Sequence, residues 1–301
     1  MTIAIIKVPF EKFHGMGNDF IVSEAALLQG GARQRPGRPD YGELAIAICA
    51  PHTGVGADGF LIVSPASSRS ADAQVEFFNA DGSEAEISGN GLRCAAVYLL
   101  SGGRIRKRKQ MAVETKAGIR AIELLEKDAL TWTFCVGMGA PVLEPQHIPL
   151  IASGVKAPVT GFRINTSSGT KTATVTSMGN PHCTLFVKRF REGAWQQTGS
   201  EIENKTCFPN RTNVEFVRVL SRKEIEVRYW ERGVGQTASS GTGSCAAAVA
   251  SILNGHTGRR VLVRTLAGAL QVEWPKGGEV QLTGPAVKIA EGTYWNLPRR
   301  P

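Results

Sequence analysis

Two serines stand in the same chemical setting in the two halves of the chain, each directly before a Gly-x-Gly pair. Ser88 precedes Gly89-Asn90-Gly91, and Ser240 precedes Gly241-Thr242-Gly243. Glycines let a ligand approach the backbone closely, and a helix N-terminus offers unpaired N–H groups that bind anions. A serine hydroxyl becomes a base or nucleophile only when another base activates it. The two loops therefore predict a site for a small anion such as an α-carboxylate, with one hydroxyl on each side.

Each loop is expected to open a buried helix. Residues 92–100 are almost entirely apolar, which predicts a helix buried on every face. The apolar strand expected at 75–78 and the turn residues 79–83 precede the first loop. Ser101-Gly102-Gly103 and Asn254-Gly255 are typical of helix C-termini.

The same design occurs twice along the chain, at 75–100 and at 227–253. The alignment pairs Phe78 with Trp230, Asn79 with Glu231, Ser88 with Ser240 and, after a gap of one residue, Cys94 with Cys245. Residues 16–19 and 178–182 form a second pair of similar segments, Met-Gly-Asn-Asp and Met-Gly-Asn-Pro-His. A repeat at half the chain length predicts two homologous half-molecules.

Two such helix N-termini facing each other across a cleft would hold one small ligand between Ser88 and Ser240. That layout suits chemistry at a carbon approached from both faces, such as two-base racemisation. The alternative is that the glycines only permit tight packing of the helices on their sheets.

Six segments resemble the diaminopimelate epimerase family. They are FHGMGNDFIV (13–22), TGVGADG (53–59), FNADGSEAEISGNGLRC (78–94), SMGNPHC (177–183), TNVEFV (212–217) and ERGVGQTASSGTGSC (231–245). The resemblance implies an α/β (α+β) fold of two pseudo-symmetric domains, each a mixed or antiparallel sheet wrapped around a central buried helix. We expect the N-terminal half at 1–138, completed by a C-terminal strand at 287–301, and the second half at 139–286. The resemblance also implies an active site between the halves, a homodimer, and no metal, flavin or pyridoxal phosphate.

One feature departs from the family. In the family both residues before Gly-x-Gly are cysteines, whose thiol and thiolate exchange the α-proton, whereas this chain has Ser88 and Ser240. A thiol ionises near pH 8.5, and lower at a helix N-terminus, so it is a much better base than a hydroxyl. Three interpretations follow: an epimerase whose cysteines were changed to serine, a paralogue that uses the serines in another isomerisation or elimination, and an amino-acid-binding protein without catalysis.

The resemblance implies roles for thirteen residues. Four fall at catalytic positions: Ser88, Ser240, His182 and Glu231. Nine fall at substrate-binding positions: Asn18, Asn79, Gly89, Asn90, Asn180, Asn213, Arg232, Gly241 and Thr242. The expected reaction is epimerisation at the α-carbon of an amino acid, from LL- to meso-diaminopimelate, in lysine and peptidoglycan precursor synthesis.

Composition restricts the protein class further. A chain of 301 residues with 42% hydrophobic and 20% charged residues is typical of a globular enzyme with two cores. No apolar run reaches membrane-spanning length, and six cysteines without short paired spacings favour neither disulfides nor zinc, so we expect a cytoplasmic protein. The formal charge of +9 and the basic run 104–109 allow nucleic-acid binding, but a solvated basic turn that binds no nucleic acid is the preferred interpretation.

Overall fold

The computed structural model describes residues 6–28, 40–105 and 109–296. The chain divides into two compact units, which are Met1–Val136 with Pro285–Pro301 and Gly137–Gly284. Three segments with sequence-based expectations lie outside the described residues. They are residues 29–39, whose glycines, arginines and prolines predict a polar loop, the tail 298–301, which we expect to be loose, and the central residues 106–108 of the basic run.

The first unit is a sheet around one long helix. Its elements are β1 (Ile6–Gly15), β2 (Asn18–Glu24), α1 (Ala25–Leu28), α2 (Tyr41–Cys49), β3 (Gly59–Ser64), β4 (Ala73–Asn79), β5 (Glu84–Ala85), α3 (Gly89–Ser101), β6 (Gln110–Thr115), β7 (Gly118–Asp128) and β8 (Thr131–Gly137). The last strand, β17 (Gln281–Asn296), starts in the second unit and pairs with β1 of the first unit in antiparallel register. Helix α3 packs against β1 to β4, and its residues Leu92 to Leu100 are all buried.

The second unit repeats this architecture. Its elements are β9 (Val159–Thr166), β10 (Gly169–Ser177), β11 (Pro181–Phe186), α4 (Ala194–Glu203), β12 (Asn213–Ser221), β13 (Glu224–Glu231), β14 (Gly235–Thr237), α5 (Gly241–Leu253), β15 (Arg260–Thr265) and β16 (Gly268–Glu273). Helix α5 packs against β10 to β13 and is buried from Gly241 to Ser251.

The strand pairings of the two units agree one by one. From β1 to β8 the pairs β1/β2, β3/β4, β6/β7 and β7/β8 are antiparallel, and β2/β3 and β4/β6 are parallel. From β10 to β17 the pairs β10/β11, β12/β13, β15/β16 and β16/β17 are antiparallel, and β11/β12 and β13/β15 are parallel. The expected fold class, two similar α+β halves each built around a buried helix, is confirmed.

The two central helices also begin in the same way. Ser88 and Ser240 are N-caps with extended backbones, at φ −135° and −134°, and each side chain accepts a hydrogen bond from the N–H three residues on. Each helix has 13 residues, so the register from cap to end needs no gap and pairs Arg93 with Cys245. The gap that paired Cys94 with Cys245 is therefore wrong, since one inserted residue would rotate the rest of a helix by about 100°.

The basic run is only partly described. Arg104, interpreted from the sequence as part of a solvated turn, forms an ion pair with Glu11 at 3.2 Å and a second one with Glu24. Its guanidinium also lies 3.6 Å from the centre of the Tyr98 ring. Arg104 is therefore a structural residue that fixes the end of α3 to β1 and β2. No helix of the described residues is long and apolar enough to cross a membrane.

Candidate active site

The second unit joins one of the two serines to a carboxylate. Glu231 is the last residue of β13, and Ser240 caps α5 nine positions later, after the short strand β14 that pairs back onto β13. The Ser240 hydroxyl donates to Glu231 Oε2 at 3.0 Å and accepts from the Gly243 N–H at 3.3 Å. Ser240 is 5% exposed, whereas Glu231 is half-buried. The hydroxyl therefore lies between a base and the start of a helix.

Burial controls the acidity of Glu231. Desolvation raises the pKa of its carboxyl above the ordinary value, and the hydrogen bond from Ser240 and the nearby His182 act in the opposite direction. A glutamate with a raised pKa is a stronger base when ionised than one at the surface. The sequence indicated Glu231 as a site residue, and in the structure its carboxylate accepts a hydrogen bond from Ser240, the residue at the second of the two serine positions.

A buried histidine lies between an amide and a second carboxylate. His182 Nδ1 is 2.6 Å from Glu215 Oε1, and His182 Nε2 is 2.8 Å from Asn180 Oδ1. The amide of Asn180 donates in turn to Thr242 Oγ1, in the first turn of α5, at 3.5 Å. Burial raises the pKa of Glu215, and the contact with His182 partly offsets that rise. This chain of contacts brings three predicted residues, His182, Asn180 and Thr242, together at the start of α5.

Glu215 was not assigned a role from the sequence, although it lies inside one of the quoted motifs. It is 1% exposed, and its Oε1 atom lies 3.1 Å from the point where a Cβ added to Gly243 would stand. Strand periodicity places Glu215 on the same face of β12 as the predicted Asn213, because the two are two positions apart. This alternation along the strand is the signal by which the sequence could have indicated Glu215 as a site residue.

Two further predicted residues connect β12 to the loop after β13. The Asn213 amide donates to the Pro181 carbonyl at 2.9 Å, and its Oδ1 accepts from the Arg232 N–H at 3.0 Å. The Arg232 guanidinium donates to the Asn210 carbonyl at 3.1 Å, and the side chain is exposed. The Asn213 side chain is thus held by backbone groups. The Arg232 side chain is exposed at the surface of the unit.

The first unit surrounds its serine with amides. Ser88 Oγ accepts from the Gly91 N–H at 3.0 Å, the same cap contact as in the second unit. The side-chain amide of Asn90, two positions after Ser88, donates to Asn18 Oδ1 at 3.2 Å. The Asn18 amide donates in turn to Asp58 Oδ2 at 2.8 Å. Three predicted residues thus lie at the start of α3: Ser88 caps the helix, Asn90 belongs to its first turn, and Asn18 is bonded to Asn90.

A buried arginine underlies this loop. Arg93 is 0% exposed and donates to the Gly89 carbonyl at 3.1 Å, to Asn90 Oδ1 at 2.6 Å and to the Pro285 carbonyl at 3.1 Å. It fixes the Asn90 side chain with its amide pointing to Asn18. The sequence showed Arg93 within a motif, but its apolar neighbours gave no reason to expect a buried charge.

Asn79 occupies in the first unit the position that Glu231 occupies in the second. It ends β4, it is exposed, and its amide donates to Ser83 Oγ at 2.9 Å. Asn79 is an amide, which cannot act as a base. Among the described residues, no group of three or more His, Cys, Asp or Glu side chains is placed to hold a metal ion.

The chain was compared with known proteins. A family profile described as diaminopimelate epimerase matches residues 10–144 and 174–289. Proteins named diaminopimelate epimerase are similar over almost their whole length: that of Pelotomaculum thermopropionicum is 44% identical over 285 residues, 95% of this chain and 98% of the relative, and that of Moorella thermoacetica is 42% identical over 286 residues, again 95% and 98%.

A solved structure supports the fold independently. A hydroxyproline epimerase from Agrobacterium vitis, with bound trans-4-hydroxy-L-proline, has a TM-score of 0.71 at 17% sequence identity, and the match covers 97% of this chain and 93% of that one.

Proposed function

The chain is an isomerase of the diaminopimelate epimerase family, and we propose that it epimerises the α-carbon of diaminopimelate, from the LL to the meso form. The observation that carries this proposal is the pair of matching helix N-termini. Ser88 and Ser240, the residues at the two acid/base positions, cap their helices with the same backbone conformation and the same hydrogen bond.

The backbone of these loops suits an anionic substrate. We assign the N–H groups around Gly89, Asn90, Gly241 and Thr242 to the substrate carboxylate, because the first N–H groups of a helix have no partner within the helix. The polar ends of the substrate are assigned to amides and to Arg232, which is exposed and has a guanidinium fixed on a carbonyl. The binding asparagines are Asn18, Asn79, Asn180 and Asn213.

The mechanism is proton removal from one face of the α-carbon and proton return at the other. Ser88 and Ser240 occupy the two acid/base positions, and His182 and Glu231 assist as further catalytic groups. The proposal needs no cofactor, because protein groups supply both the proton acceptor and the proton donor. On the strength of the family resemblance we also propose a homodimer that acts in the cytoplasm in lysine synthesis.

The test is hydrogen exchange in deuterated water. The wild-type protein and the Ser88→Cys, Ser240→Cys double variant are each incubated with LL- and meso-diaminopimelate. NMR measures the loss of the α-proton, and chiral chromatography measures the configuration of the product. We expect exchange and inversion in both proteins and faster reaction in the double variant, because a thiol is the better acid and base. Saturable binding with neither exchange nor inversion in either protein would instead indicate an amino-acid-binding protein.

A further inference from the structure

A buried carboxylate of the second unit has no part in the site described above. Glu203 is the last residue of α4 and is 5% exposed. Its Oε2 atom accepts from the Trp230 indole N–H at 2.7 Å, and its Oε1 atom accepts from the Gly233 N–H at 2.8 Å. The guanidinium of Arg211, an exposed residue, donates to Oε1 at 3.2 Å. Glu203 thus ties the end of α4 to the hairpin formed by β13 and β14.

Helix stability does not explain a carboxylate at this position. The C-terminus of a helix carries a partial negative charge, so an acidic side chain is unfavourable there, and an ionised carboxylate is costly to bury without partners. Close packing of α4 on β13 brings Glu203 to the hairpin, since a Cβ added to Gly199, one turn earlier, would lie 2.8 Å from the Trp230 Cβ. Donors on the hairpin therefore account for the buried carboxylate.

The hairpin turn that Glu203 holds carries Arg232, which is assigned to a polar end of the substrate. The turn, residues 232–234, directly follows β13. The Arg232 N–H donates to Asn213 Oδ1 at 3.0 Å, and the Gly233 N–H donates to Glu203 Oε1 at 2.8 Å. These two N–H groups belong to the peptide units on either side of the Arg232 Cα atom. The backbone of Arg232 is therefore fixed on both sides by side chains of its own unit.

The side chain of Arg232 is held by the same segment. Its guanidinium donates to the Asn210 carbonyl at 3.1 Å, in the connection between α4 and β12, and the side chain is exposed. A guanidinium has five N–H donors in a planar fork that matches a carboxylate, so one bond to a carbonyl leaves donors for a ligand. A group that is ordered before the ligand arrives loses less conformational entropy on binding. Displacement of the turn would move the guanidinium away from its carbonyl partner.

We propose that Glu203 is a positioning residue for substrate binding, which holds the turn 232–234 so that the Arg232 guanidinium meets a carboxylate of the substrate. This inference rests on the proposed function, in which Arg232 contacts the substrate. Glu203 acts through the turn and has no need to touch the substrate itself. All of these residues belong to the second unit, Gly137–Gly284.

The test is the affinity of the Glu203→Gln variant for meso-diaminopimelate, measured by isothermal titration calorimetry. The substitution keeps the size of the side chain but places an NH2 group against one of the two hairpin N–H donors. We expect Kd to rise about 10-fold or more, the lower end of the effect known for residues that orient metal ligands. Calorimetry detects binding whether or not the protein turns the substrate over.

The matched control is Glu201→Gln, the same chemical change two positions earlier on α4. The Glu201 carboxylate accepts from the Ser167 N–H, from the Ser167 hydroxyl at 2.8 Å and from Lys205 at 2.8 Å, and these donors lie outside the hairpin. We expect a Kd within about 2-fold of wild type, since substitutions away from a special contact have small effects. Circular dichroism spectra that agree with wild type show that both variants are folded.

A double-mutant cycle with Arg232→Gln separates positioning from general support of the fold. If Glu203 acts through Arg232, Glu203→Gln should weaken binding little in the Arg232→Gln background, so the two effects on Kd are non-additive. If Glu203 only stabilises the fold, the two effects add.

Glu203→Asp is the second variant, for use where Glu203→Gln fails to fold. It keeps the negative charge beside Arg211, but its side chain is one methylene too short to hold both Trp230 and Gly233. We expect the same loss of affinity, and the same non-additivity with Arg232→Gln, as for Glu203→Gln.

The outcomes distinguish this inference from the proposed function. Unchanged affinity in Glu203→Gln, or an effect that adds to that of Arg232→Gln, overturns the positioning role and leaves the proposed function standing. Binding without α-proton exchange, together with the non-additive loss of affinity, overturns the proposed reaction and supports the positioning role. No binding by the wild type or by the double cysteine variant overturns both. Loss of affinity in Glu203→Gln that is absent from the Arg232→Gln background, with Glu201→Gln like the wild type, supports the positioning role.

Discussion

The two capping serines offer a matched pair of substitutions, since they hold equivalent positions but have different partners. Ser88→Ala removes the acceptor for the Gly91 N–H, and loss of an N-cap serine costs about 1 kcal/mol. Ser240→Ala removes the equivalent bond from Gly243 and also the hydrogen bond to the Glu231 carboxylate. A hydrogen bond to a charged group contributes roughly 1.5–3 kcal/mol. We therefore expect the free energy of unfolding to fall by about 1 kcal/mol in Ser88→Ala and by roughly 2.5–4 kcal/mol in Ser240→Ala.

The free energy of unfolding that Ser240→Ala loses in excess of Ser88→Ala depends on pH. Burial raises the pKa of Glu231 in the folded protein above its ordinary value of 4.5, so ionisation of this group costs stability as the pH rises from the ordinary value through the raised one. Loss of the Ser240 hydroxyl raises the folded pKa further and enlarges that cost. At pH 4, below the ordinary value of 4.5, Glu231 is mostly protonated in both folded and unfolded chains, and the excess falls towards that of a neutral hydrogen bond, about 1 kcal/mol.

Urea unfolding at pH 8 and at pH 4, followed by circular dichroism, measures both effects. A loss of 1 kcal/mol lowers Tm by roughly 2–4 °C in a domain of 150–250 residues, so thermal unfolding gives an independent reading. Equal losses in the two variants at pH 8 would refute the reasoning, because the Ser240–Glu231 bond would then contribute nothing. An excess that persists unchanged at pH 4 would show that Glu231 is not the charged partner.

Two further substitutions test the packing beneath the loops. Arg93→Met should lower the free energy of unfolding by about 3 kcal/mol or more in urea titration, because three acceptors, two of them buried, lose their donor at about 1–3 kcal/mol each. A change below about 0.5 kcal/mol, the range of surface substitutions, would contradict a buried structural role. Gly243→Ala should also lower Tm, because the added Cβ would lie 2.9 Å from the Tyr229 ring and 3.1 Å from Glu215. The cost of overpacking, about 1–3 kcal/mol, exceeds the gain of about 1 kcal/mol from replacing a glycine within a helix. A Tm equal to or above that of the wild type would show that these neighbours can move to make room.

The sequence predicts the fold well because the repeat carries its information twice. A strand, a turn, a glycine loop and a buried helix occur in the same order in both halves, and the helices α3 and α5 form where the two apolar runs predict them. Two elements that the sequence did not indicate are very short: α1 has four residues and β5 has two. Such segments contain too few residues for a hydrophobic period to be recognised.

The sequence predicts the members of the candidate site better than their connections. Motif positions indicated Ser240 and Glu231 separately, but only the return of β14 onto β13 places the carboxylate on the hydroxyl. Glu215 and Arg93 lie in apolar stretches, where a buried charge is unexpected, and their partners are distant in the chain: His182 is 33 residues from Glu215, and Pro285 is 192 residues from Arg93. Pairings of this kind come from tertiary packing and leave no local pattern.

The comparison of the two units shows which residues of the repeat are the same because the fold requires them, and at which positions the side chains differ. The cap serine, the following glycine and the 13-residue helix are the same in both, because they satisfy the N–H groups of a buried helix N-terminus. The positions around that cap differ: Arg93 stands where the other helix has Cys245, and Asn79 stands where the other strand has Glu231. The first helix terminus thus has a buried cation bonded to its loop, and the second has a carboxylate bonded to its capping hydroxyl. The backbone cap is therefore the part of the repeat that the buried helix requires, whereas the side chains next to it differ between the two units without changing the helix.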